Sequence, residues 1–192
     1  MGLRLNIGCG SHLLPGWINL DPAPIPGTVR GCADAIPLAD GSVECAVMFD
    51  VIEHLHPRKE VGNALREIAR VLQPGGVLRI STPDLAKLVR AYVDERLRWH
   101  AAASQPLWYA GALAAIQFSA HAFGNNGETT PPGVYDGHQV LYDESALIDL
   151  LRENGYREAF RQRPLESVSE TIRTQVRDRW PDTALIVEAV KW

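Results

Sequence analysis

Two glycines and a carboxylate stand close together near the start of the chain, between residues 3 and 21. The apolar run Leu3–Ile7 predicts a buried strand, and Gly8 and Gly10 follow it directly. Because glycine has no Cβ, the backbone can turn sharply there and present main-chain N–H groups to a ligand. Asp21 ends a second predicted strand, where a carboxylate can accept hydrogen bonds from both hydroxyls of a ribose. Together these features indicate a site for an adenosine-containing ligand.

The glycine turn alone is weak evidence, since most such turns after a strand are ordinary tight turns. The segments that follow it are GCADAIPLADGSVECAVMFDVIEHL, a predicted helix, and LQPGGVLRISTPD. This succession resembles the class I S-adenosylmethionine-dependent methyltransferase family over residues 3–97. The resemblance is weaker over residues 138–156 and over the last strand.

The resemblance implies S-adenosylmethionine as the cofactor and assigns roles to particular positions. The glycine turn would hold the methionine end, Asp21 would hold the ribose, and Asp34, expected at the end of a third strand, would meet the adenine amino group. The full set of implied cofactor-binding residues is Gly8, Cys9, Gly10, Asp21, Asp34, Phe49 and Asp50.

One departure from the family concerns the connection between the first two strands. It reads SHLLPG, where Pro15 and Gly16 end any helix after about one turn. The anion-favouring N-terminus of a long first helix would then be absent. The methionine carboxylate would depend on turn amides and on His12 or a nearby arginine, so cofactor affinity is the property most affected.

Three residues are candidates for acid and base chemistry. Glu53 and His54 follow the carboxyl end of a central strand, where a bound acceptor would meet the transferred methyl group. His138 lies between a loop and a helix, and similar enzymes place a histidine there that faces the active site. Histidine can take a proton from a hydroxyl near neutral pH, and His54 is the favoured base. The alternative is that these residues only order the loops around them.

The remaining chemistry of the sequence excludes several classes of protein. No CxxC, HxxxH or comparable spacing occurs, so the sequence predicts no metal site. The three cysteines, Cys9, Cys32 and Cys45, argue against a disulfide framework. We therefore expect a reducing cytoplasm and no signal peptide. The net charge of −4 argues against a nucleic-acid partner, because phosphate contacts need clustered Lys and Arg.

The succession of strands and helices predicts an α/β fold: a doubly wound, mostly parallel sheet with an antiparallel last strand. Helices are expected from Pro57, from Leu85 with Asp84 as N-cap, and from Glu144 to Asn154. A chain of 192 residues suits one domain, here residues 1–192 as a single methyltransferase domain.

An inserted, lid-like segment is expected at about residues 99–137. Residues 99–127 contain no Asp, Glu, Lys or Arg and are too polar to span a membrane. Their aromatic side chains could cover an acceptor pocket and exclude water; they are Trp99, Trp108, Tyr109, Phe118 and Phe123. The alternative is a helix buried in the core or in a homodimer interface.

These features favour methyl transfer from S-adenosylmethionine to an oxygen or nitrogen of a small molecule or glycan. One alternative is a non-catalytic cofactor-binding or regulatory subunit, which the short first connection favours. The other is an NAD-dependent oxidoreductase, which uses a similar glycine turn and acidic strand end. The third glycine of that fingerprint is missing here.

Overall fold

The computed structural model describes residues 2–93 and 138–192, which are built around one seven-stranded sheet. Its elements are β1 (Leu3–Ile7), β2 (Ile18–Asp21), β3 (Val29–Arg30), β4 (Val43–Phe49), α1 (Val61–Val71), β5 (Leu72–Pro83), α2 (Leu85–Val93), α3 (Glu144–Glu153), β6 (Tyr156–Arg161), α4 (Glu170–Gln175) and β7 (Ala184–Lys191). A short 3₁₀ turn, Ile52–His54, follows β4. The expected insertion at 99–137 lies outside the described residues. Among those described, no helix is long and apolar enough to cross a membrane.

The strands follow the order β3-β2-β1-β4-β5-β7-β6 across the sheet. The neighbours from β3 to β5 pair in parallel, whereas β7 runs antiparallel to both β5 and β6. This arrangement confirms the predicted fold class and its antiparallel C-terminal strands. The strand order reverses between β1 and β4, and open α/β sheets bind ligands outside the carboxyl ends of the strands at such a reversal.

The register of the strands brings their carboxyl ends together. Ile7 of β1 pairs with Leu20 of β2 and with Met48 of β4. The next residue of each strand therefore lies at the same edge of the sheet; these residues are Gly8, Asp21 and Phe49. Positions that are far apart in sequence thus become neighbours at the strand-order reversal.

The side chains of β4 alternate between two apolar cores, one on each face of the sheet. Met48 packs in the larger core, which α1 and α3 cover. Val47 and Phe49 pack in the smaller core together with Trp17, which precedes β2, and Ile172 of α4. β4 is therefore buried on both faces, as a central strand of a sheet is.

The connection from β1 to β2, residues 8–17, contains turns and no helix, as Pro15 and Gly16 predicted. The buried Asn19 holds this connection in place. Its Oδ1 accepts hydrogen bonds from the main-chain N–H of Leu14 at 2.9 Å and from Nδ2 of Asn6 at 2.8 Å. Side-chain hydrogen bonds thus organise a segment that many proteins of this architecture build as a helix.

The start of α1 differs from the prediction. The helix begins at Val61 and not at Pro57, so that prediction was wrong. The main-chain N–H of His56 donates to Oε2 of Glu60 at 2.8 Å, and the residues between them form a turn. Val61 and Ile68 of α1 are both buried in the larger core.

The N-cap predicted for α2 is confirmed. Oδ1 of Asp84 accepts hydrogen bonds from the main-chain N–H of Ala86 at 3.0 Å and of Lys87 at 3.2 Å. Val89 of this helix is 51% exposed. α3 begins at Glu144 as predicted and ends one residue earlier than expected.

A buried cation in β5 ties the C-terminal part of the chain to the sheet. Arg79 is 1% exposed. Its Nε and Nη2 donate to the two carboxylate oxygens of Asp178 at 2.9 and 2.8 Å, and its Nη1 donates to Glu188 at 2.6 Å. It also donates to the carbonyl oxygens of Arg163 and Glu166. Five hydrogen bonds satisfy this guanidinium, as a buried charge requires.

Candidate active site

A cavity of about 340 Å³ lies at the carboxyl ends of β1, β2 and β4. This volume lies within the range of about 300–1,000 Å³ that is typical of small-molecule sites. Five of the residues that the sequence nominated line it, namely Gly8, Asp21, Asp34, Asp50 and His54. The structure therefore brings the expected cofactor-binding carboxylates and one candidate base to the same cavity.

Asp21 is held from two sides. It is 8% exposed, its Oδ2 accepts a hydrogen bond from the N–H of Gly10 at 2.8 Å, and its Oδ1 accepts one from the N–H of Ala23 at 2.9 Å. A carboxylate offers about four acceptor positions, so both oxygens retain capacity for the hydroxyls of a ribose. The main chain thus orients the carboxylate of Asp21, and both of its oxygens can still accept from a ligand.

The same contacts correct one expectation about the glycine turn. The N–H of Gly10 binds Asp21, and the N–H of Cys9 donates to the carbonyl oxygen of Leu20 at 3.1 Å. These two amides do not point outward as ligand donors, because they close the turn against β2. Cys9 and Gly10 are also not among the residues that line the cavity; they support its wall from behind.

Gly8 is required by conformation and by space. Its φ is +61°, in the left-handed region, and a Cβ built on it would lie 2.4 Å from Cγ2 of Val51. Gly10 also has a positive φ, +50°, but no atom lies within 4 Å of its Cβ position. Gly8 and Val51 both line the cavity, so the absence of a side chain at Gly8 shapes its floor.

The structure places Asp34 later than the sequence predicted. β3 ends at Arg30, and Asp34 lies beyond it in a turn that a bridge between Cys32 and Ala35 closes. The expectation that Asp34 ends a strand was therefore wrong. Asp34 is exposed and lies on the cavity wall, where its carboxylate remains accessible to a ligand.

Phe49 and Cys9 face away from the cavity. The side chain of Phe49 is buried in the smaller core, on the other face of β4 from Met48. The thiol of Cys9 is buried, and this burial, together with the charge of Asp21, raises its pKa to about 11. All three cysteines are free, which agrees with the expectation of no disulfide framework.

Asp50 brings the C-terminal part of the chain to the cavity. It follows β4 with a φ of +54°. Its Oδ2 accepts a hydrogen bond from Nε1 of Trp180 at 3.2 Å and lies 3.6 Å from Nη1 of Arg179. Burial raises the pKa of Asp50, and Arg179 and Trp180 oppose that shift. The sequence analysis missed Arg179 and Trp180, because their separation from Asp50 along the chain gives no signal.

Glu53 is a buried carboxyl group behind the cavity. It is 0% exposed, and its Oε2 accepts a hydrogen bond from Oγ1 of Thr82 at 3.1 Å. Its Oε1 has no hydrogen-bond partner among the described residues. Burial raises the pKa of Glu53 to about 8, so the group is mostly protonated at neutral pH in the chain as it stands.

His54 and His138 meet edge to face. Their ring centroids are 4.8 Å apart and their planes are inclined by 82°. The segment that carries His138 is anchored next to Glu53, because the N–H groups of Gln139 and Val140 both approach the carbonyl oxygen of Glu53. Burial, with a smaller contribution from His54, lowers the pKa of His138 to about 4, and the imidazole is therefore neutral.

Glu53, His54 and His138 form one cluster. Polar atoms of this cluster and of the neighbouring Tyr142 are buried. Nδ1 of His138 and the hydroxyl of Tyr142 have no hydrogen-bond partner within the described ranges. Burial and the charge of Glu53 raise the pKa of Tyr142 to about 12. His138 and Tyr142 thus place two buried polar atoms beside Glu53.

Part of the chain is similar in sequence to known methyltransferases. A family model described as a methyltransferase domain matches residues 19–80. A probable S-adenosylmethionine-dependent methyltransferase of Mycolicibacterium smegmatis is 47% identical over 49 residues, which make up 26% of this chain and 18% of that protein. The matched part thus spans less than a fifth of that relative's length.

Solved structures with the same fold cover nearly the whole chain. A possible histamine N-methyltransferase of Thermotoga maritima has a TM-score of 0.59 at 18% identity and covers 100% of this chain and 83% of that chain. A 1,6-didemethyltoxoflavin-N1-methyltransferase of Burkholderia thailandensis, solved with bound 1,6-didemethyltoxoflavin and S-adenosylhomocysteine, has a TM-score of 0.54 at 14% identity and covers 98% of this chain and 70% of that chain. These likenesses support the fold.

The strand order and the cavity at its reversal define an α/β domain of the kind that binds a nucleoside-containing cofactor. Within that class, residues 19–80 match the model of a methyltransferase domain, and part of the chain is similar to probable S-adenosylmethionine-dependent methyltransferases. S-adenosylmethionine is the cofactor of those relatives.

Proposed function

We propose that the protein transfers the methyl group of S-adenosylmethionine to an oxygen or nitrogen atom of a small molecule or glycan. The observation that carries this proposal is that Asp21 and His54 line the same cavity. A carboxylate suited to a ribose and a histidine suited to an acceptor therefore face one ligand space. The cavity is also of small-molecule size.

The cofactor side of the proposed site is formed by the three strand ends. Gly8 leaves room for the ligand to approach the main chain, Asp21 accepts from the ribose, and Asp34 accepts from the adenine amino group. The amides of Cys9 and Gly10 are used within the protein. The methionine carboxylate must therefore find its donors elsewhere in the site.

When bound, S-adenosylmethionine supplies a methyl group attached to a positively charged sulfur. A lone pair of the acceptor forms the new bond to the methyl carbon, and the electron pair of the broken carbon–sulfur bond stays on sulfur. A hydroxyl acceptor also loses its proton. The protein's own contribution is to orient the acceptor and exclude water. His54 is the member of the cluster that lines the cavity, and we assign it to the acceptor side. Glu53 and His138 would support it from behind.

In the chain as it stands, His138 is neutral near pH 7 because its pKa is lowered to about 4, and Glu53 is mostly protonated because its pKa is raised to about 8. The free cysteines and the net charge of −4 are consistent with our proposals of a cytoplasmic location and no nucleic-acid partner.

One observation favours a second candidate, a cofactor-binding subunit without catalytic activity. The β1–β2 connection has no helix, so the helix N-terminus that commonly favours an anionic group is missing there. Such a subunit would bind S-adenosylhomocysteine and show no turnover with any acceptor tested.

The experiment that tests the proposal has two stages. Isothermal titration with S-adenosylhomocysteine measures cofactor binding, and release of S-adenosylhomocysteine from S-adenosylmethionine measures turnover over a panel of hydroxyl and amine acceptors, including sugars. His54→Ala should lower kcat by at least tenfold and change cofactor affinity little. His56→Ala, outside the cavity, is the matched control. Absence of cofactor binding by the unaltered chain would refute the proposal.

A further inference from the structure

We propose that Glu53, His54 and His138 form a binding site for one divalent transition-metal cation on the acceptor side of the cavity. Each residue offers one ligand atom, and these atoms lie within 4.8 Å of one another. The sequence predicted no metal site because it shows no close ligand spacing. The fold supplies the third ligand from a segment far along the chain.

The cluster needs little movement to hold a cation. A tetrahedral ion with bonds of about 2.1 Å places its ligands about 3.4 Å apart, so ligand atoms that lie up to 4.8 Å apart must approach by up to about 1.4 Å. Glu53 and His54 belong to the same 3₁₀ turn. The segment of His138 is fixed to that turn through the N–H of Val140, 3.4 Å from the carbonyl oxygen of Glu53. Side-chain rotation therefore suffices.

A second and independent observation is that two atoms of the cluster lack partners. Oε1 of Glu53 and Nδ1 of His138 are buried, with no hydrogen bond to the part of the chain that the structure describes. Glu53 is 0% exposed. Buried polar atoms without a partner are costly and rare, and an ion is one of the partners that accounts for them. A cation bound through these two atoms would satisfy both at once.

The donor set indicates which cations fit. Two imidazoles and one carboxylate form a ligand set of catalytic zinc sites, in which an open position remains for water or substrate. Imidazole favours Zn²⁺ and its transition-metal neighbours over Mg²⁺ and Ca²⁺, which take oxygen ligands. The hydrogen bond from Thr82 to Oε2 of Glu53 would orient the carboxylate, as outer hydrogen bonds do at metal sites.

The cation would define the acceptor more narrowly, and this step rests on the proposed function. Because His54 lines the cavity, an open metal position beside it would face the acceptor. A metal-bound hydroxyl loses its proton more readily, here to solvent water before the methyl group is transferred, so the acceptor atom would be an oxygen. The lone pair of His54 would be on the metal, and His54 would not itself serve as the base.

The test uses the full chain with Cys32 replaced by Ser, since the exposed thiol of Cys32 can itself bind metal. After removal of metals with a chelator, isothermal titration with Zn²⁺ should show one site per chain. Glu53→Gln and His138→Ala should each weaken it at least tenfold, and His56→Ala should leave it unchanged. With Co²⁺, the visible spectrum should report nitrogen and oxygen ligands and no thiolate.

Several outcomes would overturn the site: no saturable binding at one ion per chain, equal affinity in His138→Ala and His56→Ala, or a thiolate band with Co²⁺. Thermal unfolding and S-adenosylhomocysteine binding, measured on each variant, confirm that it folds. His138→Gln replaces His138→Ala if the latter does not. Cofactor binding without zinc binding refutes the metal site alone, and zinc binding without cofactor binding refutes the proposed function alone.

Discussion

Asp21 serves the turn and the ligand site at the same time. Its carboxylate binds the N–H groups of Gly10 and Ala23, and it lines the cavity. Asp21→Ala should lower the affinity for S-adenosylhomocysteine at least tenfold, because a hydrogen bond to a charged group contributes about 1.5–3 kcal/mol. Isothermal titration measures this. Asp40→Ala, at an exposed carboxylate outside the cavity, is the control, and equal affinities would contradict the assignment of the ribose site.

Gly8 and Gly10 form a matched pair for testing the floor of the cavity. Alanine at either position adopts a left-handed conformation at a cost of about 1–2 kcal/mol, but only the Cβ at Gly8 would overlap Val51. We expect Gly8→Ala to lose about 1–3 kcal/mol more stability than Gly10→Ala in urea unfolding. Adding Val51→Ala should recover most of the difference. Equal losses, or no recovery, would show that the overlap with Val51 is unimportant.

The three cysteines differ in burial, and Cys32 is the one that lines the cavity. Burial raises the pKa of Cys9 to about 11 and that of Cys45 to about 12, whereas Cys32 is exposed and lines the cavity. A thiol-specific disulfide reagent should therefore modify one thiol in the folded chain and three in denaturant. Saturating S-adenosylhomocysteine should slow the reaction of Cys32, and Cys32→Ser should abolish it. An unchanged rate would place the cofactor outside this cavity.

At the scale of elements, β5 carries the largest fully buried side chain of the described residues, the charged Arg79. Arg79→Ala would leave Asp178 and Glu188 buried without their cation, and the loss of one partner from a buried ion pair costs about 3–5 kcal/mol. Urea unfolding should show this loss. Arg173→Ala, at an exposed position of α4, should change stability by less than about 0.5 kcal/mol. Comparable effects would show that the network is dispensable.

The elements that the sequence predicted well are those with a strong local pattern. β1, β2 and β4 follow from apolar runs, and the Asp84 N-cap follows from a local side-chain contact. The start of α1 was missed because the side chain of Glu60 binds the N–H of His56, a contact that no propensity encodes. β3 has only two residues, too few for a periodic signal, and this explains why Asp34 was placed at a strand end.

At the scale of the whole molecule, the two sides of the site differ in how they could be predicted. The proposed cofactor side comes from strand ends within the first 50 residues, so a local motif was enough to nominate Gly8 and Asp21, which line the cavity. The proposed acceptor side depends on His138 packing against His54, and on Trp180 reaching Asp50. Such contacts join distant segments, and a single sequence gives no spacing from which to infer them.

The stability of the whole domain provides the last prediction. A ligand at one hundred times its dissociation constant stabilises the folded state by about 2.7 kcal/mol. For a chain of this length that corresponds to a rise in Tm of about 5–10 °C. S-adenosylhomocysteine should produce this rise in the unaltered chain and a much smaller one in Asp21→Ala. NAD⁺ should produce none, because the third glycine of its fingerprint is missing. A rise with NAD⁺ that equals or exceeds that with S-adenosylhomocysteine, in differential scanning calorimetry, would favour the oxidoreductase over the methyltransferase.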